Sequence, residues 1–313
     1  MATGAGALDI QGHRGARGLA PENTLPAFAR ALALGVTTLE LDCAITHDGV
    51  VVISHDPAFN PDIARGPDGK WLQQTGPLIS TLSYADTQRY DVGRINPASD
   101  YARRWPEQRP VDGTRIPRLQ ELFALVRKSG NETVRFNIET KVSPLAPDET
   151  APPEAFARKL ISAVRAGGMD GRTTIQSFDW RTLQVVQKEA PGIPTVYLTV
   201  ENGFMDSIQR DQPASPWTAG FHVSRYGGSI PRMVKAAGGA VWSPFHAETT
   251  REQVRDAQSM GLKVVVWTVN EPVDMRRMIE WEVDGIISDR PDLLRRTAGE
   301  MGVTLPRPTP VTQ

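Results

Sequence analysis

Short apolar runs of strand length recur along the chain, and between them apolar residues return at helical spacing. Strands are expected over Leu8–Gln11, Thr38–Asp42, Val134–Glu139, Thr173–Ser177, Thr195–Thr199, Ala240–Ser243, Lys263–Val269 and Gly285–Ser288. Leu119, Leu122, Phe123 and Val126 fall at i, i+3, i+4 and i+7, one face of a helix that Gly130 stops. Phe156, Leu160 and Val164 repeat the pattern ahead of Gly167 and Gly168. Met275, Met278 and Ile279 share one side of a helix opened by Pro272. Asn23 or Thr24 can cap a helix that runs through Leu32 and ends at Gly35. Strands alternating with helices in this number predict an α/β fold, a (β/α)8 TIM barrel. The competing arrangement is a doubly wound open sheet, and the absence of a G-x-G-x-x-G turn favours closure.

The periodicity fails once. From Pro57 to Arg115 no pattern holds, yet the stretch carries Phe59, Trp71, Tyr84, Tyr90, Tyr101 and Trp105, more aromatics than a solvated linker would. It reads as a small inserted subdomain after the second strand, over approximately 57–115, packed on one end of the barrel. The barrel domain is expected over 1–302. Val303–Gln313, with three prolines and no pattern, is expected to be a disordered tail.

Composition narrows the function classes. The 313 residues suit one large domain or two ordinary ones, and 40% hydrophobic with 23% charged residues excludes a fibre or a disordered chain. Lys and Arg (35) balance Asp and Glu (36), which leaves no basic footprint for nucleic acid or an anionic membrane. No apolar run approaches the roughly 18 residues of a membrane helix. The single cysteine, Cys43, excludes an intrachain disulfide and a Cys-rich zinc site, and with no basic neighbour it reads as an inert buried thiol. Met1–Leu8 lacks the basic start and apolar core of a signal peptide. The chain as it stands is therefore expected to be cytoplasmic, or periplasmic or secreted if its N-terminus was trimmed. Oligomeric state leaves no signature.

The active end of such a barrel is the C-terminal end of its strands, so polar residues inside apolar strands are the ones to weigh. Glu40 and Asp42 stand at i, i+2 and share a strand face, while Leu39, Leu41 and Cys43 take the other. Two carboxylates facing a barrel interior repel and lose hydration, and a divalent cation relieves both costs; hard oxygen ligands suit Mg²⁺ or Ca²⁺. The alternative is a strand that alternates to solvent. Asn137, Glu139 and Lys141 repeat the device, with Glu139 a third ligand and Lys141 a point charge for an anionic oxygen, or else a Glu139–Lys141 pair closing a strand end. His13 ends the first strand between Gly12 and Gly15, and Arg14 beside it offers a fork for phosphate or carboxylate. His55 follows Val51–Ser54 and precedes Asp56. Two histidines at strand ends can form an acid–base pair, though each taken alone reads as a surface or satisfied histidine. His47 lies in a His-Asp-Gly turn and reads as structural. His222 is undecided, and His246 could line the site. Gln176, Phe178 and Asn270 sit at later strand ends. Trp267 is either core or an apolar wall for a substrate's carbon skeleton.

Together these residues resemble the glycerophosphodiester phosphodiesterase family. The matching stretches are His13-Arg14-Gly15 with Pro21-Glu22-Asn23-Thr24, Glu40-Leu41-Asp42, His55-Asp56 and Ile116-Pro117. Further on they are Glu139-Thr140-Lys141, Gln176-Ser177-Phe178, Trp267-Thr268-Val269-Asn270 and Asp284-Gly285-Ile286-Ile287-Ser288-Asp289. They run in order over roughly residues 9–295. The resemblance implies a TIM barrel that hydrolyses small-molecule glycerophosphodiesters to glycerol 3-phosphate and an alcohol. It implies one divalent cation on Glu40, Asp42 and Glu139, and His13 and His55 as acid and base. It implies phosphate and substrate contacts from Arg14, Lys141, Gln176, Phe178 and Trp267, with Trp267 on the glycerol side. It also implies that the glycerol 2-hydroxyl attacks phosphorus and that water opens the resulting cyclic phosphate.

Three other readings compete. A phospholipase D-like or phosphoinositide-type barrel would share the fold and the paired histidines but act on lipid diesters. A carboxylate–metal sugar isomerase explains Glu40, Asp42 and Glu139 and leaves Arg14 and Lys141 idle. A silent binding barrel would be favoured by the loss of a ligand or a histidine, and none is lost.

Overall fold

A computed structural model describes residues 7–201 and 205–312. Eight parallel strands close a ring: β1 (Asp9–Gly12), β2 (Thr38–Ile45), β4 (Arg135–Thr140), β5 (Thr173–Ser177), β6 (Thr195–Thr199), β7 (Val241–Pro244), β8 (Lys263–Val266) and β9 (Gly285–Ser288), with β9 returning to β1. A short strand, β3 (Val51–Ile53), lies outside the ring, antiparallel to β2. Helices α1 (Leu25–Leu34), α4 (Leu119–Lys128), α5 (Pro153–Ala166), α6 (Trp180–Glu189), α7 (Ile230–Ala236), α8 (Arg251–Ser259), α9 (Pro272–Glu280) and α10 (Pro291–Glu300) follow the strands. Two short ones, α2 (Tyr84–Thr87) and α3 (Asp100–Arg104), lie between β3 and α4. This is the TIM barrel the periodicity predicts. Among the described residues no helix is long and apolar enough to cross a membrane.

The pattern explains the layers. Ile10, Leu39, Leu41, Phe136, Ile138 and Ile175 alternate to the outer face of their strands and bury against Phe28, Phe123, Leu160 and Leu183 of the helices. Each such side chain contributes roughly 1.5–3 kcal/mol of burial. Thr24, rather than Asn23, caps α1 through its hydroxyl, and Gly35 closes that helix at φ +85°. Inside the ring one half is apolar, with Val196, Val241, Val265 and Ile287 in contact. The other half is polar: Asn137 Nδ2 donates to Gln11 Oε1 at 3.0 Å and Gln176 Oε1 at 2.9 Å.

One feature differs from the pattern-based expectation. β2 runs three residues past Asp42, because Cys43, Ala44 and Ile45 pair with Ile53, Val52 and Val51 of β3. The C-terminal segment forms no regular element, as its prolines dictate, and through residue 312 it is laid along the barrel. Thr309 N–H donates to Leu32 O at 2.9 Å, Asn131 Nδ2 donates to Thr309 Oγ1 at 3.0 Å, and Arg295 Nη1 to Pro306 O at 2.9 Å. Val303, Leu305 and Val311 pack on the core. Side-chain donors satisfy a backbone that cannot join a sheet.

The segment between β3 and α4 has a core of its own. Phe59, Ala64, Ile79, Val92 and Ile116 pack with Ala44 and Val52 of the β2–β3 hairpin, and Phe59 stacks on Tyr90 at 3.9 Å.

Candidate active site

Parallel pairing of β2 with β4 sets Asp42 beside Glu139 and Glu40 beside Asn137. Glu40, Asp42 and Glu139 are all buried, and one oxygen from each lies within 4.8 Å of the others. Glu40 accepts from Gln176 Nε2 at 2.6 Å and from Arg14 N–H at 2.8 Å. Asp42 Oδ2 accepts from Asn23 Nδ2 at 2.9 Å, while buried Asp42 Oδ1 has no hydrogen-bond donor. Burial, then the Asp42 charge, pushes the Glu40 carboxyl well above its ordinary range. Burial lifts Glu139 to about 7, with Asp42 adding to it against the pull of Lys141. Burial would raise Asp42 too, but His55, Arg14 and Lys141 outweigh it and hold Asp42 low. Three buried carboxylates crowded together, with one oxygen lacking a hydrogen bond, suit a hard divalent cation.

His13 leaves β1 through a tight loop. A side chain on Gly12 would meet the Gly15 carbonyl at 2.1 Å, and Gly15 stands at φ +84°. The turn carries Arg14 at φ +49°, and Arg14 lines the cavity. His13 Nδ1 lies 2.6 Å from Asp289 Oδ1 and Nε2 lies 3.8 Å from Glu40 Oε2. Asp289 is fully buried and also accepts from Arg17 Nε at 2.7 Å, Arg17 Nη2 at 2.9 Å and Asn270 Nδ2 at 2.8 Å. Burial lowers the His13 pKa, with Arg17 assisting against the pull of Asp289. Arg14 Nη1 donates to Glu22 Oε1 at 2.5 Å, and Arg14 Nε has no hydrogen-bond acceptor.

The β2–β3 hairpin brings His55 back over the mouth, where Ser54 N–H donates to Asp42 O at 3.0 Å. His55 Nδ1 meets Asp56 Oδ1 at 2.8 Å, and Nε2 lies 3.1 Å from Lys141 Nζ. Lys141 also donates to Glu139 Oε1 at 2.8 Å. Burial, with the Arg14 and Lys141 charges, brings His55 down to about 4, so at neutral pH Nε2 is an unprotonated acceptor. Hydrogen bonding from His55 overcomes burial and holds Asp56 at about 2.

These groups share one cavity of about 520 Å³. His13, Arg14, Glu40, His55, Glu139 and Lys141 line one side; Phe178, Leu198, Trp217, Phe245, Trp267 and Ile287 line the other. Trp267 meets Phe178 edge-on at 5.3 Å and donates from Nε1 to Ser243 O at 2.9 Å. Gln176 reaches the cavity, but its amide is engaged by Asn137 and Glu40. Its Nε2 donates to Glu40 Oε1 at 2.6 Å and its Oε1 accepts from Asn137 at 2.9 Å. His246 lies outside the lining, where Phe245 takes the place expected of it. His222 caps a short turn through Ser224. Asn23, Arg17, Asp289, Glu22 and Tyr101 are site neighbours that the residue patterns do not place in the site; Glu22, Asn23 and Asp289 fall in the family-matching stretches, while Arg17 and Tyr101 left no such signal.

The family model for the glycerophosphoryl diester phosphodiesterase family matches residues 13–293. A glycerophosphodiester phosphodiesterase of Caldanaerobacter subterraneus is 29% identical over 283 residues, covering 90% of this chain and 94% of its own. A solved structure from Silicibacter pomeroyi, provisionally named for the same family, is 36% identical with a TM-score of 0.83, covering 96% of this chain and 95% of that one. A phosphodiesterase of Oleispira antarctica, solved with its product sn-glycerol 3-phosphate, shares the fold at 20% identity and TM-score 0.67, covering 94% and 97%. The fold and the acidic mouth define a TIM-barrel phosphodiesterase. The chain belongs to the glycerophosphoryl diester phosphodiesterase family.

Proposed function

We propose that this phosphodiester hydrolase cleaves glycerophosphodiesters to glycerol 3-phosphate and an alcohol, with His13 and His55 as acid and base and a divalent cation on Glu40, Asp42 and Glu139. The observation that carries it is the buried acidic triad flanked, in one cavity, by two histidines and two cations. The names of the relatives agree with the substrate.

The cation, Mg²⁺ or Ca²⁺, would supply Lewis-acid neutralisation of charge on the phosphate oxygens. The protein's own residues do the rest. Arg14 and Lys141, both lining the cavity, bind and orient the phosphate. His55, neutral and aligned by Asp56, takes the proton of the attacking hydroxyl at Nε2. His13, fixed by Asp289 at Nδ1, gives the proton at Nε2 to the leaving alkoxide; the phosphate anion beside it favours that protonation. If the glycerol 2-hydroxyl attacks first, the two histidines exchange roles when water opens the cyclic phosphate.

The deciding experiment measures glycerol 3-phosphate release from glycerophosphocholine by EDTA-stripped protein, then with Mg²⁺ or Ca²⁺ restored, alongside Glu40→Ala. Metal-restored release that Glu40→Ala abolishes is the expected result. No release from folded protein with either ion overturns the substrate assignment. The apolar half of the cavity favours one second reading, a diester whose alcohol or acyl part is lipid-like. Faster turnover of lysophosphatidylcholine than of glycerophosphocholine would select it.

A further inference from the structure

The inserted segment has its own core, yet two of its aromatics turn away from that core toward the first barrel loop. Tyr101, on α3, donates its hydroxyl to Glu22 Oε2 and accepts from Arg17 Nη1 at 3.2 Å. Glu22 is buried, and its other oxygen holds Arg14 Nη1. Trp105 lies with its ring 4.7 Å from the Arg17 guanidinium carbon, and Arg17 forks onto Asp289, the partner of His13. The backbone is tied as well: Gln108 Nε2 donates to Arg17 O at 2.7 Å and Arg109 N–H to Leu19 O at 3.0 Å.

We propose that Tyr101 is a positioning residue, through which the insertion sets the phosphate-binding arginine by way of Glu22, while Trp105 steadies the Arg17 guanidinium from which Tyr101 accepts. The inference rests on Arg14 holding the phosphate. The chemistry needs a phenol at position 101. One hydroxyl serves as donor to a buried carboxylate and acceptor from a guanidinium at once, and phenylalanine offers neither. Without that donor, both oxygens of Glu22 are free to close on Arg14 and draw its fork away from the cavity. Arg14 sits on a left-handed backbone, so its side chain, not its main chain, is the part that can give. A small misplacement of a group that binds a transferring phosphate costs about ten- to a hundredfold in rate.

The test compares metal-loaded wild type, Tyr101→Phe, Arg14→Lys and the double variant. The readouts are kcat/KM on glycerophosphocholine, inhibition by glycerol 3-phosphate, and Tm. Tyr90→Leu, which loosens the insertion's own core, is the control. Tyr101→Phe should lose about tenfold in kcat/KM and bind glycerol 3-phosphate more weakly, and in the Arg14→Lys background it should cost less than about twofold more. Tyr90→Leu should lower Tm at least as far while keeping kcat/KM within about twofold. Additive losses in the double variant, equal losses in Tyr101→Phe and Tyr90→Leu, or an unchanged Tyr101→Phe enzyme overturn the inference alone. An Arg14→Lys enzyme with unaltered product inhibition overturns the phosphate assignment on which it rests, and the inference with it.

Discussion

The two ends of the barrel's polar half use the same residue types to opposite effect. At the N-terminal end Asp9 accepts from Thr37 at 2.6 Å, Thr38 at 2.7 Å and Gln11 at 2.9 Å, and pairs with Arg135 at 3.0 Å. Midway, Asn137 spends both amide hydrogens, and its oxygen accepts from Thr174 at 2.9 Å. At the C-terminal end the same β2 and β4 carry Asp42, Glu40 and Glu139, and there the polar atoms satisfy one another less well: Asp42 Oδ1 and Arg14 Nε are buried without a hydrogen bond, held only by looser ion pairs, Lys141 Nζ to Asp42 Oδ1 at 3.9 Å and Arg14 Nε to Asp42 Oδ2 at 3.4 Å. A polar side chain inside a barrel is structural where its neighbours complete it and functional where they leave an atom open to a ligand.

That contrast is open to a direct break. Glu139→Gln keeps the shape but removes one of three crowded buried charges. Glycerol 3-phosphate release should fall about a hundred- to a thousandfold, and in EDTA the urea midpoint should stay level or rise. Asp9→Asn at the other end should do the reverse. It should cost about 1–3 kcal/mol in urea unfolding through unmatched donors and lone pairs, with kcat/KM held within about threefold. A stability loss in Glu139→Gln as large as that in Asp9→Asn would erase the distinction.

Within the open end the two histidines differ in the same sense. His13 is 12% exposed and backed by fully buried Asp289; His55 is 31% exposed and backed by Asp56 at 34%. An acid for the leaving group and a base for the nucleophile separate by substrate. His13→Ala should lose about a hundredfold on a choline diester and less than about tenfold on an aryl diester, whose leaving group needs no proton. His55→Ala should lose similarly on both. Equal losses on the two diesters for His13→Ala would sink the assignment.

How much of this was legible follows from where each partner lies along the chain. The triad carboxylates showed themselves because polar residues at i, i+2 in an apolar strand are a local signal, and so did the apolar helix faces. Arg17 and Asp289 meet across 272 positions and Tyr101 and Glu22 across 79, and no local period links residues that distant. Gln176 was visible as a polar strand end, but only the register of β4 against β5, which pairs it with Glu139, shows why its amide is engaged. In the tail, proline forbids a ladder while permitting docking through borrowed donors, which no local period announces.

Glu22 stands between the two cases, completed by its neighbours like the lower end yet placed in the upper one. Burial would raise its carboxyl; Arg14 and Arg17, with the Tyr101 hydroxyl, outweigh that and hold it below the ordinary value. A depressed carboxyl binds its proton more readily in the unfolded chain, so its contribution to stability is full above the ordinary pKa near ~4.3 and is lost as pH falls below it. Urea midpoints at pH 6 and pH 4 in EDTA, for wild type and Glu22→Gln, isolate this effect, since the other acids titrate alike in both. The wild type should lead at pH 6, by a share of the roughly 1–3 kcal/mol that breaking a buried hydrogen bond costs, and the lead should shrink at pH 4. A lead that is constant across the window would mean that Glu22 is held by shape alone, and that charge from Arg14 and Arg17 has no part in tying the insertion's contact to the phosphate site.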